Sequence, residues 1–207
     1  TSFDYFKSYS LPFNTLSLKF KNNRGRVHAT NMGIQKATGD WLLFIQSNMI
    51  VDSSLLQHYA KAIQSDDSNN LIITGTIVYQ SSDYALQNYL NDKTRGINAY
   101  KRYDNIHFSH LLFGNCIIHD SVFKKIQLNL QLKSYGGEEL DFSYKVLQKI
   151  PNTMIAYPDA RVTRIEFPAL QQHCLRLEEY GKKNLPILDS VLQKQVLKYQ
   201  ILLTPVP

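Results

Sequence analysis

The run Asn31-Met32-Gly33-Ile34-Gln35-Lys36-Ala37-Thr38-Gly39-Asp40, followed by Trp41-Leu42-Leu43-Phe44-Ile45, constrains the fold more than any other part of the chain. Val27, Asn31, Ile34 and Thr38 recur at helical spacing, so residues 25–38 are predicted to form a helix with Asn31 on its inner face. Gly39-Asp40 ends it in a tight turn. The five apolar residues that follow suit a strand buried on both faces, because a strand with one wet face alternates apolar and polar side chains. We therefore expect residues 41–45 to form a central strand. It closes on the polar triplet Gln46-Ser47-Asn48, at the carboxyl end, where open α/β sheets bind their ligands.

The remaining pattern alternates. Strands are predicted at residues 16–20, 71–79, 111–118, 153–157 and 161–165, from alternation or from enrichment in Ile, Val and Thr. Helices are predicted after a cap at Asp52 or Ser53 and at residues 85–100 (broken near Gly96), 120–126 and 138–150. In the first of these, Leu55, Leu56, Tyr59, Ala60 and Ile63 share a face. Two amphipathic helices follow, near residues 168–182 and 188–202. Residues 65–70 form a polar loop. Alternating strands and helices argue for an α/β layer fold with a mostly parallel sheet flanked by helices.

Length and composition narrow the classes. At 207 residues the chain fits one domain with a substantial core. With 43% hydrophobic and 19% charged residues it reads as an ordinary globular protein. No apolar run approaches the roughly 20 residues that span a bilayer. The residues from Thr1 onward carry no signal-peptide pattern. Two cysteines, Cys116 and Cys174, are too few for a disulfide framework and point to a reducing, cytoplasmic setting. The net charge of +6 suits solubility and also attraction to anions: a nucleotide diphosphate, an anionic glycan or the inner face of a membrane. Nucleic acid is not an expected partner, since the basic residues are spread out with no basic helix.

Several segments carry chemistry. Arg24 and Arg26 flank the start of the first helix, where amides and guanidinium groups suit a diphosphate, although both also read as solvated charges. Gln46 and Asn48 offer neutral carbonyls, a poor set for Mg²⁺ or Mn²⁺. Phe113-Gly114-Asn115-Cys116 reads either as a pocket wall, with Gly114 allowing close approach, or as a core strand with a bulge. Cys116 fits a small buried side chain better than a nucleophile. His107 and His110, three apart in a loop, are thin grounds for zinc. Tyr135-Gly136-Gly137-Glu138-Glu139-Leu140-Asp141 puts two glycines before an acidic first helical turn. Acidic residues there are also favoured by the helix dipole, and Asp141 with Lys145 makes an ordinary i,i+4 pair. On that helix Glu138 and Asp141 share a face, with Glu139 pointing elsewhere.

The Asn31–Asn48 block resembles the centre of the family 2 glycosyltransferases, where N-x-G-(x)3-A-x-G leads into a strand closing on Asp-x-Asp. Gly136–Asp141 is similar to that family's G-G-E-D-x-D. The resemblance spans about residues 7–185 and implies a GT-A fold, a nucleotide-sugar donor and a glycan or lipid-linked acceptor, with peripheral attachment to a membrane in the latter case. It implies an inverting transferase of surface or capsular polysaccharide, in which a carboxylate takes the acceptor proton. Glu139 occupies the place of that base, with Asp141 and Glu138 as further candidates. Arg24, Arg26, Asn31, Gln46, Asn48, Gly114, Asn115, Gly136, Gly137 and Arg164 are the implied substrate-binding residues. The family's divalent metal is held by the two aspartates, replaced here by Gln46 and Asn48, and by a histidine whose place Arg164 takes. We expect no metal site. The segment 1–9 resembles the helix that follows the family's second strand, so residues 1–207 are expected to be one domain, a fragment without the nucleoside-binding strands. The competing expectation is a non-catalytic binding or partner subunit. A nucleotidyltransferase has no support beyond fold class.

Overall fold

The computed structural model describes residues 14–66, 68, 70–165 and 170–201. The expected helix within residues 1–9 lies outside them. In chain order the elements are α1 (Arg26–Lys36), β1 (Trp41–Ile45), β2 (Met49–Val51), α2 (Leu55–Gln64), β3 (Ile72–Tyr79), α3 (Tyr84–Leu90), β4 (Asn115–His119), α4 (Asp120–Lys125), α5 (Glu138–Lys149), β5 (Met154–Arg164), α6 (Leu170–Glu179) and α7 (Ser190–Ile201). Single 3₁₀ turns cover Gly96–Ala99, Phe108–His110 and Leu185–Ile187, and a π-helical turn covers Tyr180–Asn184.

The five strands form one sheet in the order β1-β4-β3-β5-β2. The longest ladder, β3 with β5, is parallel; β1–β4, β3–β4 and β2–β5 are antiparallel. It follows that β1, β3 and β5 run one way while β4 and β2 run the other, in a mixed sheet whose longest ladder is parallel. The two short strands expected at 153–157 and 161–165 are one strand. Its ladder to β3 is interrupted: Thr74 faces Ala156, whereas Thr76 faces Arg161.

Period-two alternation sorts the side chains into two layers. Ile73, Ile117, Ile155, Tyr157 and Val162 face α2, where Leu55, Tyr59 and Ala62 meet them. Ile72, Cys116, Ile118, Met154 and Ala156 face the other way, under α1, α4, α5 and α7, with Val27, Val122, Phe142 and Leu192 as the buried contacts. Helices thus cover both faces, as an α/β layer fold requires.

Four expectations are corrected. Strand β1 is at the edge of the described sheet and half-buried throughout, because β4 alone pairs with it. Residues 16–20 alternate in sequence but join no ladder, and Leu16 and Leu18 are exposed; without a neighbouring strand, alternation alone does not make one. On α2 the buried residues are Leu55, Tyr59 and Ala62, while Leu56 faces solvent. Its N-cap is Ser54, and Asp52 accepts from the Ser54 amide and hydroxyl instead.

Candidate active site

Because β1, β3 and β5 run together, their carboxyl ends meet at one rim. There a cleft of about 1040 Å³ opens. Gln46, Ser47 and Asn48 line it beyond β1, Tyr79 closes β3, and Arg164 closes β5. A second part of the lining is Gly136, Glu138 and Glu139 at the start of α5. Arg26 enters from the first turn of α1 and Arg176 from α6. The two sequence blocks singled out above therefore face one cleft, although about 90 residues separate them in the chain.

The acidic wall is firmly built. Gly136 and Gly137 have φ of +82° and +89°, a left-handed conformation that disfavours any side chain. The Tyr180 ring packs over both; a Cβ on Gly137 would come within 2.8 Å of Tyr180 Cε2. Asn184, 1% exposed, donates from Nδ2 to the carbonyls of Ser134 (2.9 Å) and Gly136 (2.7 Å). The C-terminal segment thus clamps the loop that aims α5.

Glu138 is 5% exposed and ion-paired with Arg26. The Glu139 side chain is 18% exposed and lies 3.9 Å from the same guanidinium. Its Oε1 accepts a hydrogen bond from the Phe113 amide at 3.1 Å. Burial pushes the Glu139 carboxyl above the usual glutamate range; Arg26, the Phe113 N–H and Arg164 pull it partly back. Asp141 is buried away from the cleft and binds Lys145 Nζ at 2.6 Å. The expected grouping is corrected: Glu138 and Glu139 share the cleft and Asp141 does not. Neighbouring residues diverge by about 100° on a helix, but the cleft wraps around the helix end, where both first-turn side chains reach it.

The other expected residues divide. Arg26, Gln46, Asn48, Gly114, Gly136 and Arg164 line the cleft. Arg24 is exposed and outside it, and Asn31 sits half-buried on α1 without lining it. Gly137 is the N-cap of α5 behind the wall. Gly114 is packed closely, since a Cβ there would lie 2.9 Å from Ile77 Cδ1. Asn115 is fully buried in the core: it accepts from Tyr59 Oη (2.8 Å) and donates to the carbonyls of Thr76 (2.9 Å) and Ala160 (2.8 Å). It bridges β3 and β5 where their ladder is interrupted. Cys116 is likewise buried, and burial raises its thiol well above the usual range. His110 bonds Tyr100 Oη and His107 bonds Ser109 Oγ.

Tyr79, Arg176 and Asn184 were not singled out from the sequence. Arg176 stands over the Tyr135 ring, 5.4 Å from its centroid. Its signal, a lone arginine on an amphipathic helix, is indistinguishable from a solvated charge. The donor set at the strand end does not fit a divalent cation, because Gln46, Ser47 and Asn48 present neutral oxygens only. Among the described residues no three His, Cys, Asp or Glu side chains are grouped to hold a metal. Among the same residues no helix is long and apolar enough to cross a membrane.

The family model for glycosyl transferase family 2 matches residues 4–127, more than half of the chain, and the chain belongs to that family. No curated protein matches the sequence. Among solved structures, Staphylococcus aureus TarS 1-349 in complex with UDP-GlcNAc superposes with a TM-score of 0.54 at 14% identity, over 88% of this chain and 54% of that one. Mannosyl-3-phosphoglycerate synthase from Rubrobacter xylanophilus gives 0.53 at 11% identity, over 90% and 55%. GalNAc-T7 with UDP, GalNAc and Mn²⁺ gives 0.51 at 17%, over 72% and 32%. The fold is that of these glycosyltransferases, and the chain spans about half or less of their lengths.

Proposed function

We propose that this domain belongs to an inverting glycosyltransferase that moves a sugar from a nucleotide-sugar donor to a growing glycan, a surface or capsular polysaccharide. The observation that carries it is Glu139: a carboxylate on the cleft lining, its side chain 18% exposed, whose partial burial raises its proton affinity, in the same cleft as the carboxyl ends of β1, β3 and β5. A carboxylate of raised proton affinity on the cleft lining suits proton removal from a sugar hydroxyl. In the proposed step the acceptor hydroxyl loses its proton to Glu139 as its oxygen attacks the anomeric carbon. The bond from that carbon to the diphosphate oxygen breaks, and the nucleoside diphosphate leaves with the electron pair. Arg26, Arg164 and Arg176 line the same cleft and give a positive field for the departing phosphates. No step is routed through a metal, since the strand-end residues do not suit one. The donors named for TarS and GalNAc-T7 make uridine diphosphate sugars the first class to test. With a lipid-linked acceptor, the net charge of +6 would favour peripheral contact with an anionic cytoplasmic membrane face.

The neutral Gln46-Ser47-Asn48 triplet favours a second reading, a non-catalytic subunit that binds a nucleotide or glycan. The two separate on one assay. Wild-type protein is given UDP-sugars with glycan acceptors, and nucleotide release and transfer are followed beside Glu139→Gln. Transfer by the wild type that collapses in Glu139→Gln supports the enzyme. Nucleotide binding without transfer supports the subunit.

A further inference from the structure

Arg26 stands in the first turn of α1 with its side chain half exposed on the lining of the main cleft. It meets two carboxylates unequally. Glu138, which is buried, is its close ion-pair partner, whereas Glu139 lies 3.9 Å from the same Nη2. A buried carboxylate is costly without a cation, so Glu138 fixes one edge of the guanidinium. The guanidinium carries five N–H donors in a planar fork, and its contact with Glu139 is at the outer limit of an ion pair. Arg26 is therefore held firmly on one side and loosely on the other, in a cleft it shares with Arg164 and Arg176.

The other titratable groups around Glu139 are its neighbour Glu138 on α5, Arg164 at the end of β5, Tyr79 at the end of β3 and Cys116 on β4. The Phe113 amide is its hydrogen-bond donor. Of the two cations, Arg26 opposes the effect of burial on Glu139 more than Arg164 does. An anion that pairs with Arg26 takes away part of that opposing charge and leaves Glu139 a stronger base.

We propose that Arg26 couples the donor site to the base: tethered by Glu138, it turns its remaining N–H groups from Glu139 to the donor's diphosphate, so that the base gains strength once the donor is in place. Glu138 is then a positioning residue that acts through Arg26. The coupling is reciprocal, so protonation of Glu139 tightens anion binding by the same factor. The inference rests on the glycosyl-transfer reading for the chemistry of the donor and for Glu139 as the base.

The test is carbon-13 NMR of the Glu139 carboxyl, assigned with Glu139→Gln and titrated with pH in the full chain, alone, with sodium sulfate and with UDP-GlcNAc. Both anions keep a constant charge through the carboxylate range, so their own ionisation does not intrude. In the wild type either anion should raise the Glu139 midpoint by about one pH unit. In Arg26→Met combined with Glu138→Gln, which removes the buried pair together, the midpoint should already be raised without anion and move little further, with sulfate bound about tenfold more weakly. Arg26→Lys keeps the Glu138 pair but has no second edge to offer, and should show a smaller rise than the wild type. An equal rise in the wild type and both variants would mean that the anion acts on Glu139 directly, and would overturn the inference. So would failure of both anions to bind, or a rise lost in Arg164→Met and kept without Arg26. A rise confined to proteins that keep Arg26, in a chain that transfers no sugar, would keep the coupling and remove the transferase. Sugar transfer with a Glu139 midpoint that ignores both anions would keep the transferase and remove the coupling.

Discussion

The two walls of the main cleft are held in opposite ways. The acidic wall, Gly136–Glu139, is fixed from behind: Asn184 binds its carbonyls, Tyr180 covers its glycines, and the Phe113 amide holds Glu139. The neutral wall, Gln46–Asn48, follows an edge strand. Its local tie is the turn bond from the Met49 amide to the Gln46 carbonyl at 3.2 Å. Asn48 Oδ1 is buried with no partner among the described residues. One wall is tied down at several points, whereas the other carries a buried oxygen that no described group pairs. That difference suggests a division of labour, with chemistry on the acidic side and binding on the neutral side.

If that division holds, substitutions on the two walls should differ in kind. The largest effect is expected from Glu139→Gln, lowering turnover by roughly 10²–10⁴-fold with little change in nucleotide affinity; steady-state kinetics with calorimetry checks both. Next come the supports of the acidic wall. Gly137→Ala forces a Cβ onto Tyr180 at positive φ, and Asn184→Ala strands buried carbonyls. Each is expected to cost about 1–3 kcal/mol of stability, read by denaturant unfolding, while Gln46→Ala should stay within about 0.5 kcal/mol. Asn48→Ala should weaken nucleotide or donor binding by about tenfold, one lost hydrogen bond, and leave turnover at saturation nearly unchanged. Equal losses of turnover in Asn48→Ala and Glu139→Gln would break the division. The smallest effect is expected from Asp141→Asn, about 0.5–1 kcal/mol of stability through the Lys145 pair, whose lysine is partly exposed. A loss of turnover there without a loss of stability would move the base to Asp141.

The same contrast explains what could be read from the sequence. Local signals carried α1, β1, β3 and α5, because helical periodicity, an apolar run bounded by Gly39-Asp40, and a diglycine before acidic residues are written in neighbouring positions. The family resemblance, rather than these local signals, grouped Gln46–Asn48 with Glu139, and all four line one cleft. What the local signals missed is set by tertiary register. Asn115 looked like a pocket residue, and only the interrupted β3–β5 ladder makes it a core bridge. The five apolar residues of β1 suggested a central strand, yet which strands pair with it does not depend on its own composition. Asn184 and Arg176 act on the loop and cleft from about 50 and 40 residues downstream, and nothing near them in sequence marks that reach.

Glu139 as the base is the point on which most else depends, and its ionisation gives the most direct test. Burial raises its folded pKa above that of a free glutamate, and the base must be ionised to accept a proton. Turnover should therefore fall as pH drops through that raised value, earlier than an ordinary glutamate would require. The decisive measurement is the pH dependence of kcat/KM, which reports the free protein's ionisations, for wild type and Glu139→Gln with a UDP-sugar donor. An acidic limb displaced above the usual glutamate range in the wild type, absent from the residual activity of the variant, is the expected result. The same acidic limb in both proteins, or full turnover in Glu139→Gln, would contradict the assignment.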